Sequence, residues 1–187
     1  KELLKNHLLR SENTEEARVL PVILDGGAMP WILGPELRNL AQNAGVLLIL
    51  TPHRGELIRL CQLLELSENS AEALARETGC VVVDKGNTTT IVTPEGVRYA
   101  QTNATPYLAT AGSGDVLAGI MGALLSVAAP IQTFGTIVEN KRELLGTLAH
   151  AVYLHNLAAH QTFASGMLSR ASDIIDALPK TIYQFFK

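Results

Sequence analysis

A short loop rich in small residues precedes an apolar stretch of the chain and is the first candidate for chemistry. The loop is Thr110-Ala111-Gly112-Ser113-Gly114-Asp115, and large apolar side chains recur at helical spacing over 116–125. This spacing predicts a helix that begins at the loop. The first amides of a helix have no carbonyl partner within it and lie at the positive end of its dipole, so they can bind an anion. The two glycines would let a phosphate oxygen approach the backbone closely.

Asp115 has two interpretations at this position. It can be the acid of the first helical turn, where a carboxylate is common and stabilises the helix. It can also be a general base that takes the proton from a substrate hydroxyl while the loop amides hold a phosphoryl group. The spacing leaves both open, and it matches neither a Walker A loop nor a dinucleotide fingerprint.

Three more polar side chains follow predicted strands, namely Asp25, His53 and Lys85. Lys85 begins the turn Lys85-Gly86-Asn87-Thr88-Thr89, which combines an ammonium group with hydroxyl groups and a flexible glycine. Ligands of parallel α/β sheets bind beyond the carboxyl ends of the strands. We therefore expect these residues and the 112–115 loop to converge on one rim of the sheet. Taken singly, the histidine and the lysine fit a solvent-facing role as well.

The elements that must position these groups alternate between apolar runs and segments of helical spacing. Strands are predicted at 19–24, 46–50 and 80–83, and a hairpin is predicted at 88–93 and 97–102. Besides the helix after the loop, helices are predicted at 35–44, 57–64, 71–78, 143–160 and 173–178. The last helix should be capped by Ser172 and ended by Pro179. This alternation indicates an α/β sandwich with a mostly parallel sheet.

Three segments are predicted to lie outside this regular alternation. Residues 1–10 show leucines at helical spacing, and 11–16 are polar and predict a solvated connection. Residues 129–142 are predicted to form a looser connection. A chain of 187 residues is within the usual range for one domain.

Composition excludes several classes of partner. The 47% hydrophobic and 18% charged residues are an ordinary globular balance, and a net charge of −3 provides no overall attraction to nucleic acid or acidic membranes. Cys61 and Cys80 lie in apolar surroundings without metal-like spacing, which indicates reduced core thiols and a cytoplasmic location. The longest apolar run, 116–129, is too short to span a bilayer.

Four motifs in a fixed order carry a resemblance to a known family. The 110–115 loop followed by Val116-Leu117-Ala118-Gly119 resembles the signature of the ADP/ATP-dependent NAD(P)H-hydrate dehydratases, a family with the ribokinase-like fold. The other matches are Leu50-Thr51-Pro52-His53-Arg54-Gly55-Glu56, Lys85-Gly86 with Thr89, and Tyr153-Leu154-His155-Asn156-Leu157-Ala158. The resemblance implies a three-layer α/β/α ribokinase-like sandwich. It also implies that 1–187 is a single domain of this kind that lacks its N-terminal segment.

The resemblance implies a metabolite-repair reaction. Hydrated NADH or NADPH (NADHX or NADPHX) would be converted back to NAD(P)H by phosphorylation of the C6 hydroxyl and loss of phosphate. ADP or ATP would be the co-substrate, and Mg2+ is expected with the nucleotide, although no motif identifies its ligands. Asp115 would be the catalytic base, and Asp115, His53 and Asp25 would contact the substrate. The nucleotide would be bound by Lys85, Gly86, Asn87, Thr88, Thr89, Gly112, Ser113 and Gly114.

Some positions depart from the family pattern. Asp25-Gly26-Gly27-Ala28-Met29 lacks the second acid of the family's Asp-Ala-Asp-Ala-Leu stretch, and Ala104-Thr105-Pro106 replaces the usual Gly-Asn-Pro. His155 and His160 lie on the predicted 143–160 helix, where packing or capping roles are favoured over catalysis.

Two further expectations follow from the resemblance. The family normally has an α/β segment before the first strand seen here, so we expect an unpaired sheet edge and apolar surface. The chain would then form a homo-oligomer or pair with the missing segment. Two alternatives to the dehydratase remain, a vitamin-precursor kinase of the same superfamily and a non-catalytic nucleotide-binding remnant.

Overall fold

The computed structural model describes residues 20–128, 137–164 and 170–185. The predicted helical spacing of 1–10, the polar connection at 11–16 and the first part of the 129–142 connection therefore lie outside the described residues.

A five-stranded sheet forms the middle of the described structure. Its strands lie side by side in chain order, and every strand predicted from the sequence is present. They are β1 (Leu20–Leu24), β2 (Val46–Leu50), β3 (Val81–Asp84), β4 (Thr89–Val92) and β5 (Arg98–Gln101). The first three are parallel, whereas β4 is antiparallel to both β3 and β5, so four of the five strands run in one direction. The predicted mostly parallel sheet and the hairpin are confirmed.

Both faces of the sheet are buried, because alternate residues of each strand enter different cores. Ile49, Val81 and Val83 belong to one buried cluster, while the intervening Leu50 and Val82 belong to another. All five side chains are at most 1% exposed. A sheet with helices on both faces needs such uninterrupted apolar strands. The three-layer α/β/α architecture is thereby confirmed.

One helical layer is built from the first half of the chain. It contains α1 (Pro35–Asn43), α2 (Arg54–Leu63) and α3 (Ala71–Thr78). Gly79 closes α3 at a φ of 70°, as predicted, because a left-handed residue after a helix is easiest for glycine. A 3-10 helix, Gly26–Leu33, follows β1. Its buried Met29 and Ile32 tie it to this core.

The second layer contains the longer helices, α4 (Ser113–Ala128), α5 (Ile137–Ala164) and α6 (Ala171–Phe185). The prediction of a loose connection up to residue 142 is wrong for 137–142, which are helical. The end of α6 at Pro179 is also wrong, because the helix continues through this proline. Thr181, one helical turn past Leu178, is fully buried and donates from Oγ1 to the Ala177 carbonyl at 2.9 Å. The free energy gained by burying this turn against α5 therefore exceeds the cost of the backbone hydrogen bond that the proline removes.

The start of α6 also differs from the predicted Ser172 cap. The carboxylate of Asp173 accepts a hydrogen bond from the Arg170 amide at 2.8 Å and ion-pairs with the Arg170 guanidinium at 3.1 Å. A carboxylate in the first turn that accepts from the amide before the helix therefore performs the capping role.

The two cysteines are buried free thiols, as predicted. Burial raises the pKa of the Cys80 thiol to about 11, so it stays protonated and unreactive near neutral pH. Among the helices that the structure describes, we find none with the length and apolarity required to cross a membrane.

Candidate functional site

A cavity of about 500 Å³ lies beyond the carboxyl ends of β2 and β3, beside the start of α4. It brings together most of the residues predicted to bind the nucleotide. The predicted nucleotide contacts in its lining are Lys85, Gly86, Asn87, Thr89, Ser113 and Gly114. His53, a predicted substrate contact, also lines it. The rest of the wall comes from residues 104–106 and 108–110 and from Leu117, Val152, His155 and Asn156. Thr88 and Gly112 are outside this lining.

The backbone brings the loops after β2 and β3 together. The Lys85 amide donates to the Pro52 carbonyl at 2.8 Å, and His53 and Lys85 form an isolated parallel bridge. This pairing extends the sheet by one step past the named strands. It places the Lys85 side chain at the rim that the sequence predicted.

Lys85 forms an ion pair with Asp25. Its Nζ lies 3.0 Å from Asp25 Oδ1, and each side chain is only 21% exposed. The same Oδ1 accepts a hydrogen bond of 2.5 Å from Thr51 Oγ1. Burial raises the pKa of Asp25, but hydrogen bonds from Thr51 and Lys85 and the charge of Lys85 outweigh it, so the pKa lies below its usual value. Asp25 is therefore held as a carboxylate.

The start of α4 faces this ion pair. The Val116 amide donates to the Gly112 carbonyl at 3.1 Å, so helical bonding begins there and the amides of Gly114 and Asp115 belong to the first turn. A Cβ on Gly114 would lie 3.0 Å from Lys85 Nζ and 3.8 Å from Asp25 Oδ2. A side chain at this position would push the ammonium group away from the helix end by a few tenths of an ångström. A positive side chain and a helix N-terminus thus face the same space, which is the arrangement that binds phosphate.

The loop before α4 is held by its own hydrogen bonds. Ser113 Oγ donates to the Leu108 carbonyl at 2.6 Å, and the Ser113 amide donates to the Thr110 carbonyl at 3.2 Å. Gly112 has a φ of 85°, which favours glycine. The predicted glycine-rich opening of the helix is confirmed as a local structure.

His53 caps α2. Its Nδ1 accepts from the Gly55 amide at 3.0 Å and from the Glu56 amide at 3.3 Å, while its own amide donates to Glu56 Oε2 at 2.9 Å. These bonds form a capping box. Because Nδ1 is an acceptor, the proton of the neutral ring lies on Nε2. His53 therefore combines a structural role with a position on the cavity wall.

Asp115 lies apart from the groups that line the first cavity. Its side chain is exposed and lines a second cavity of about 540 Å³, which is largely apolar and has no lining residue in common with the first. Gly112 lies on the same side, and its Cβ position would be 3.9 Å from Asp115 Oδ2. The structure thus divides the predicted loop, with Ser113 and Gly114 on the Lys85 side and Gly112 and Asp115 on the other.

A polar group on α5 completes the wall of the first cavity. Asn156 is 2% exposed and donates from Nδ2 to Asn103 Oδ1 at 2.9 Å, and that oxygen also accepts from Gln101 Nε2 at 2.7 Å. His160 Nε2 lies 3.3 Å from the Asn103 carbonyl. This network ties α5 to the segment that follows β5. Sequence reasoning missed Asn103, which has no spacing signal, whereas Thr51 and Asn156 lay within quoted motifs but were given no role.

His155 is buried beside this network. It is 4% exposed, and its Nε2 has no hydrogen-bond partner among the described residues. Its pKa is lowered to about 4, mainly because burial disfavours the charged ring; a hydrogen bond with the Ser113 backbone opposes the shift, and the charge of Lys85 adds to it. His155 is therefore neutral at physiological pH and packs against the site, in line with the predicted packing role.

Over 20–128, 137–164 and 170–185, no group of three or more His, Cys, Asp and Glu side chains is arranged to hold a metal ion.

The doubly covered sheet and the cavity at its carboxyl ends define a ribokinase-like α/β protein. A solved ribokinase-like superfamily protein from Enterococcus faecalis is similar to this chain with a TM-score of 0.62 and 25% identity, covering 99% of this chain and 60% of that protein. Within this class, the chain belongs to the NAD(P)H-hydrate dehydratase family, whose model matches residues 6–180.

Two relatives bear the family's activity in their names. An ADP-dependent (S)-NAD(P)H-hydrate dehydratase from Neisseria meningitidis is 38% identical over 117 residues, which are 59% of this chain and 39% of the relative. The structure of an ADP/ATP-dependent NAD(P)H-hydrate dehydratase from Bacillus subtilis is similar with a TM-score of 0.64 and 28% identity, covering 88% of this chain and 56% of that protein. The chain therefore spans only part of the length of these relatives.

Proposed function

We propose that this chain carries the catalytic half of a nucleotide-dependent dehydratase that restores NADH or NADPH from its hydrated form. The proposal is supported by family membership and by one observation above all. Lys85, Gly86, Asn87, Thr89 and the first turn of α4 meet in one cavity of about 500 Å³, which has room for an adenine nucleotide. The substrates are those in the names of the relatives.

In this proposal the nucleotide binds in the first cavity. Its phosphates would accept hydrogen bonds from the amides of the first turn of α4 and from the Lys85 ammonium group. The apolar part of the wall, which includes Leu108, Leu117 and Val152, would contact the base. Mg2+, with which the Bacillus subtilis relative was co-crystallised together with ATP, would neutralise phosphate charge when bound.

The proposed chemistry begins with a proton transfer to Asp115. The C6 hydroxyl of the hydrated nicotinamide loses its proton to this carboxylate while its oxygen attacks the terminal phosphorus, and the bond to the departing nucleotide breaks. The new phosphate ester is a better leaving group than hydroxide. The C–O bond of this ester then breaks and inorganic phosphate leaves, while the neighbouring ring carbon loses a proton to water, which restores the double bond of the reduced nicotinamide.

The positions of the side chains are compatible with nucleotide binding in the first cavity and proton transfer to Asp115. Asp115 is on the far side of the helix start from Lys85, so the hydroxyl and the nucleotide would approach the loop from different sides. His53 lines the first cavity, so its Nε2 would donate to a part of the substrate that reaches that rim, away from the hydroxyl at Asp115. These assignments of Asp115 and His53 are part of the proposal.

The test is a product analysis on the full 187-residue chain with hydrated NADH, Mg2+ and ADP or ATP. We expect recovery of the absorbance of the reduced nicotinamide together with free phosphate. A phosphorylated alcohol as the end product would instead identify a kinase, and nucleotide binding without turnover would identify a non-catalytic protein. Either result would contradict the proposal.

The role of Asp115 is tested by Asp115→Asn. Loss of a general base lowers the rate by about 100- to 10,000-fold, so we expect a kcat reduced within this range and an unchanged nucleotide affinity. Asp176→Asn, which neutralises an exposed acid on α6, is the matched control and should retain the activity of the wild type. Wild-type turnover by Asp115→Asn would exclude the base assignment.

A further inference from the structure

The ion pair between Lys85 and Asp25 raises a question that the proposed function leaves open. Lys85 Nζ lines the space where phosphate would bind, yet in this structure it bonds to a protein carboxylate at 3.0 Å. The second oxygen of the same carboxylate lies near Gly114, at 3.8 Å from the Cβ position of that glycine. A negative charge of the protein thus sits at the predicted anion site.

Thr51 bonds to the oxygen that Lys85 also contacts. Its hydroxyl donates a hydrogen bond of 2.5 Å to Asp25 Oδ1. Thr51 is 1% exposed, so the surrounding packing restricts its side chain. The Gly26 backbone also bonds to the Asp25 carboxylate. If the ammonium group moved to a phosphate, these two donors would still hold the carboxylate. A buried charge that keeps hydrogen bonds is far less costly than one left without a partner.

We infer that Asp25 is an internal counter-ion that holds the Lys85 ammonium group at the start of α4 until a phosphate group takes it over. Asp25 and the phosphate compete for the same ammonium group. Thr51 donates a hydrogen bond to Asp25 Oδ1, the oxygen that Lys85 also contacts, and so weakens the hold of Asp25 on Lys85. The inference rests on the proposed nucleotide site. It gives Asp25 a positioning role that acts through Lys85, in contrast to the direct substrate contact implied by family resemblance.

The positioning role and the direct substrate contact predict different ATP affinities for Asp25→Asn. An asparagine keeps an oxygen that can accept from Lys85 and Thr51 but removes the charge that competes with phosphate. We expect Mg2+-ATP to bind roughly 3- to 10-fold more tightly to this variant, as judged by isothermal titration calorimetry. A direct contact to the hydrated nicotinamide would leave ATP affinity unchanged. An unchanged or weakened ATP affinity therefore overturns the inference.

Thr51 provides a second, independent arm of the experiment. Thr51→Val keeps the shape of the side chain and removes the hydroxyl, so Asp25 should hold Lys85 more strongly and ATP should bind roughly 3- to 10-fold more weakly. Thr51→Ser restores the donor and should bind ATP within about twofold of the wild type. Thr78→Val, which removes a buried hydroxyl that donates to the Leu74 carbonyl in α3, is the matched control and should leave ATP affinity unchanged.

The outcomes separate this inference from the proposed reaction. ATP binding without dehydration would overturn the reaction but leave the variant series interpretable, because the series measures binding alone. A failure of Thr51→Ser to restore the affinity lost in Thr51→Val would overturn the role given to the hydroxyl. A wild-type chain that binds no Mg2+-ATP would overturn both.

Discussion

Gly114 is the residue whose lack of a side chain has the clearest consequence at the site. A methyl group there would meet Lys85 Nζ at 3.0 Å, a distance at which the ammonium group must move. We predict that Gly114→Ala folds but binds ATP about tenfold or more weakly, since a charge-assisted hydrogen bond to phosphate is displaced. The measurement is calorimetric titration with Mg2+-ATP.

Gly119→Ala is the matched control for this substitution. Gly119 lies in the same helix, and a Cβ there would have no neighbour within 4 Å. Alanine should stabilise the helix by roughly 0.5–1 kcal/mol and leave ATP binding unchanged. If both alanine variants bind ATP as the wild type does, the close approach of Lys85 to Gly114 has no part in binding.

A second prediction at the residue scale concerns His155 and the pH dependence of the free energy of unfolding. Its pKa is about 4 in the folded chain and 6.5 when unperturbed, so the unfolded chain binds the proton first as the pH falls. The free energy of unfolding therefore decreases through this interval, by about 2 kcal/mol between about pH 7 and about pH 5. His155→Gln cannot titrate and should lose this part of the pH dependence.

Urea unfolding at the two pH values would measure the effect. His160→Gln removes an exposed imidazole from the same helix and serves as the matched control. Equal pH dependence in the wild type and His155→Gln would show that burial does not suppress protonation of His155.

At the scale of the element, the start of α2 depends on His53. Its ring nitrogen accepts from two amides of the first turn. We predict that His53→Ala destabilises the chain by about 0.5–2 kcal/mol, whereas His53→Asn, which retains a capping acceptor, costs less than half as much. Chemical denaturation would measure both values.

The same pair of variants separates capping from substrate contact. If His53 also donates to the substrate, His53→Asn should fold stably yet raise the KM for hydrated NADH. An asparagine variant with the KM of the wild type would leave His53 as a capping residue alone.

At the scale of the whole molecule, exposed apolar side chains lie on β1, α4 and α6, as well as near the end of α2 and on the β5 hairpin. The outer side of β1 has no strand beside it among the described residues, and Leu20 is 37% exposed. Ile175 and Ile182, 53% and 41% exposed, line the second cavity. We predict that the 187-residue chain self-associates, because surfaces of this kind bury themselves against a partner.

Sedimentation velocity over a range of concentrations would measure this self-association. Ile175→Glu should shift the population towards monomer, whereas Leu63→Glu, which charges a 54% exposed leucine at the end of α2, should not. A wild-type chain that stays monomeric at every concentration would contradict the prediction.

Local patterns in the sequence predicted the strands, most helices and the glycine-rich start of α4. They did so because these features depend on the period of apolar residues and on the conformations open to glycine. β2 shows this clearly, since five consecutive apolar residues are enough to predict a strand buried on both faces. The resemblance also supplied the candidate nucleotide-binding residues, most of which the structure brings together in one cavity.

Tertiary contacts decided what local pattern could not. Pro179 ends a helix by its own chemistry, yet α6 continues because its next turn is buried. The bond from Thr51 to Asp25 joins residues 26 positions apart, and no periodicity relates them. The two sides of the 112–115 loop were likewise indistinguishable until packing placed Gly114 against Lys85 and Asp115 in a separate cavity. Sequence thus determined the elements and the kinds of chemical group, while their pairing across the sheet rim required the folded chain, because distances between distant residues are set by packing alone.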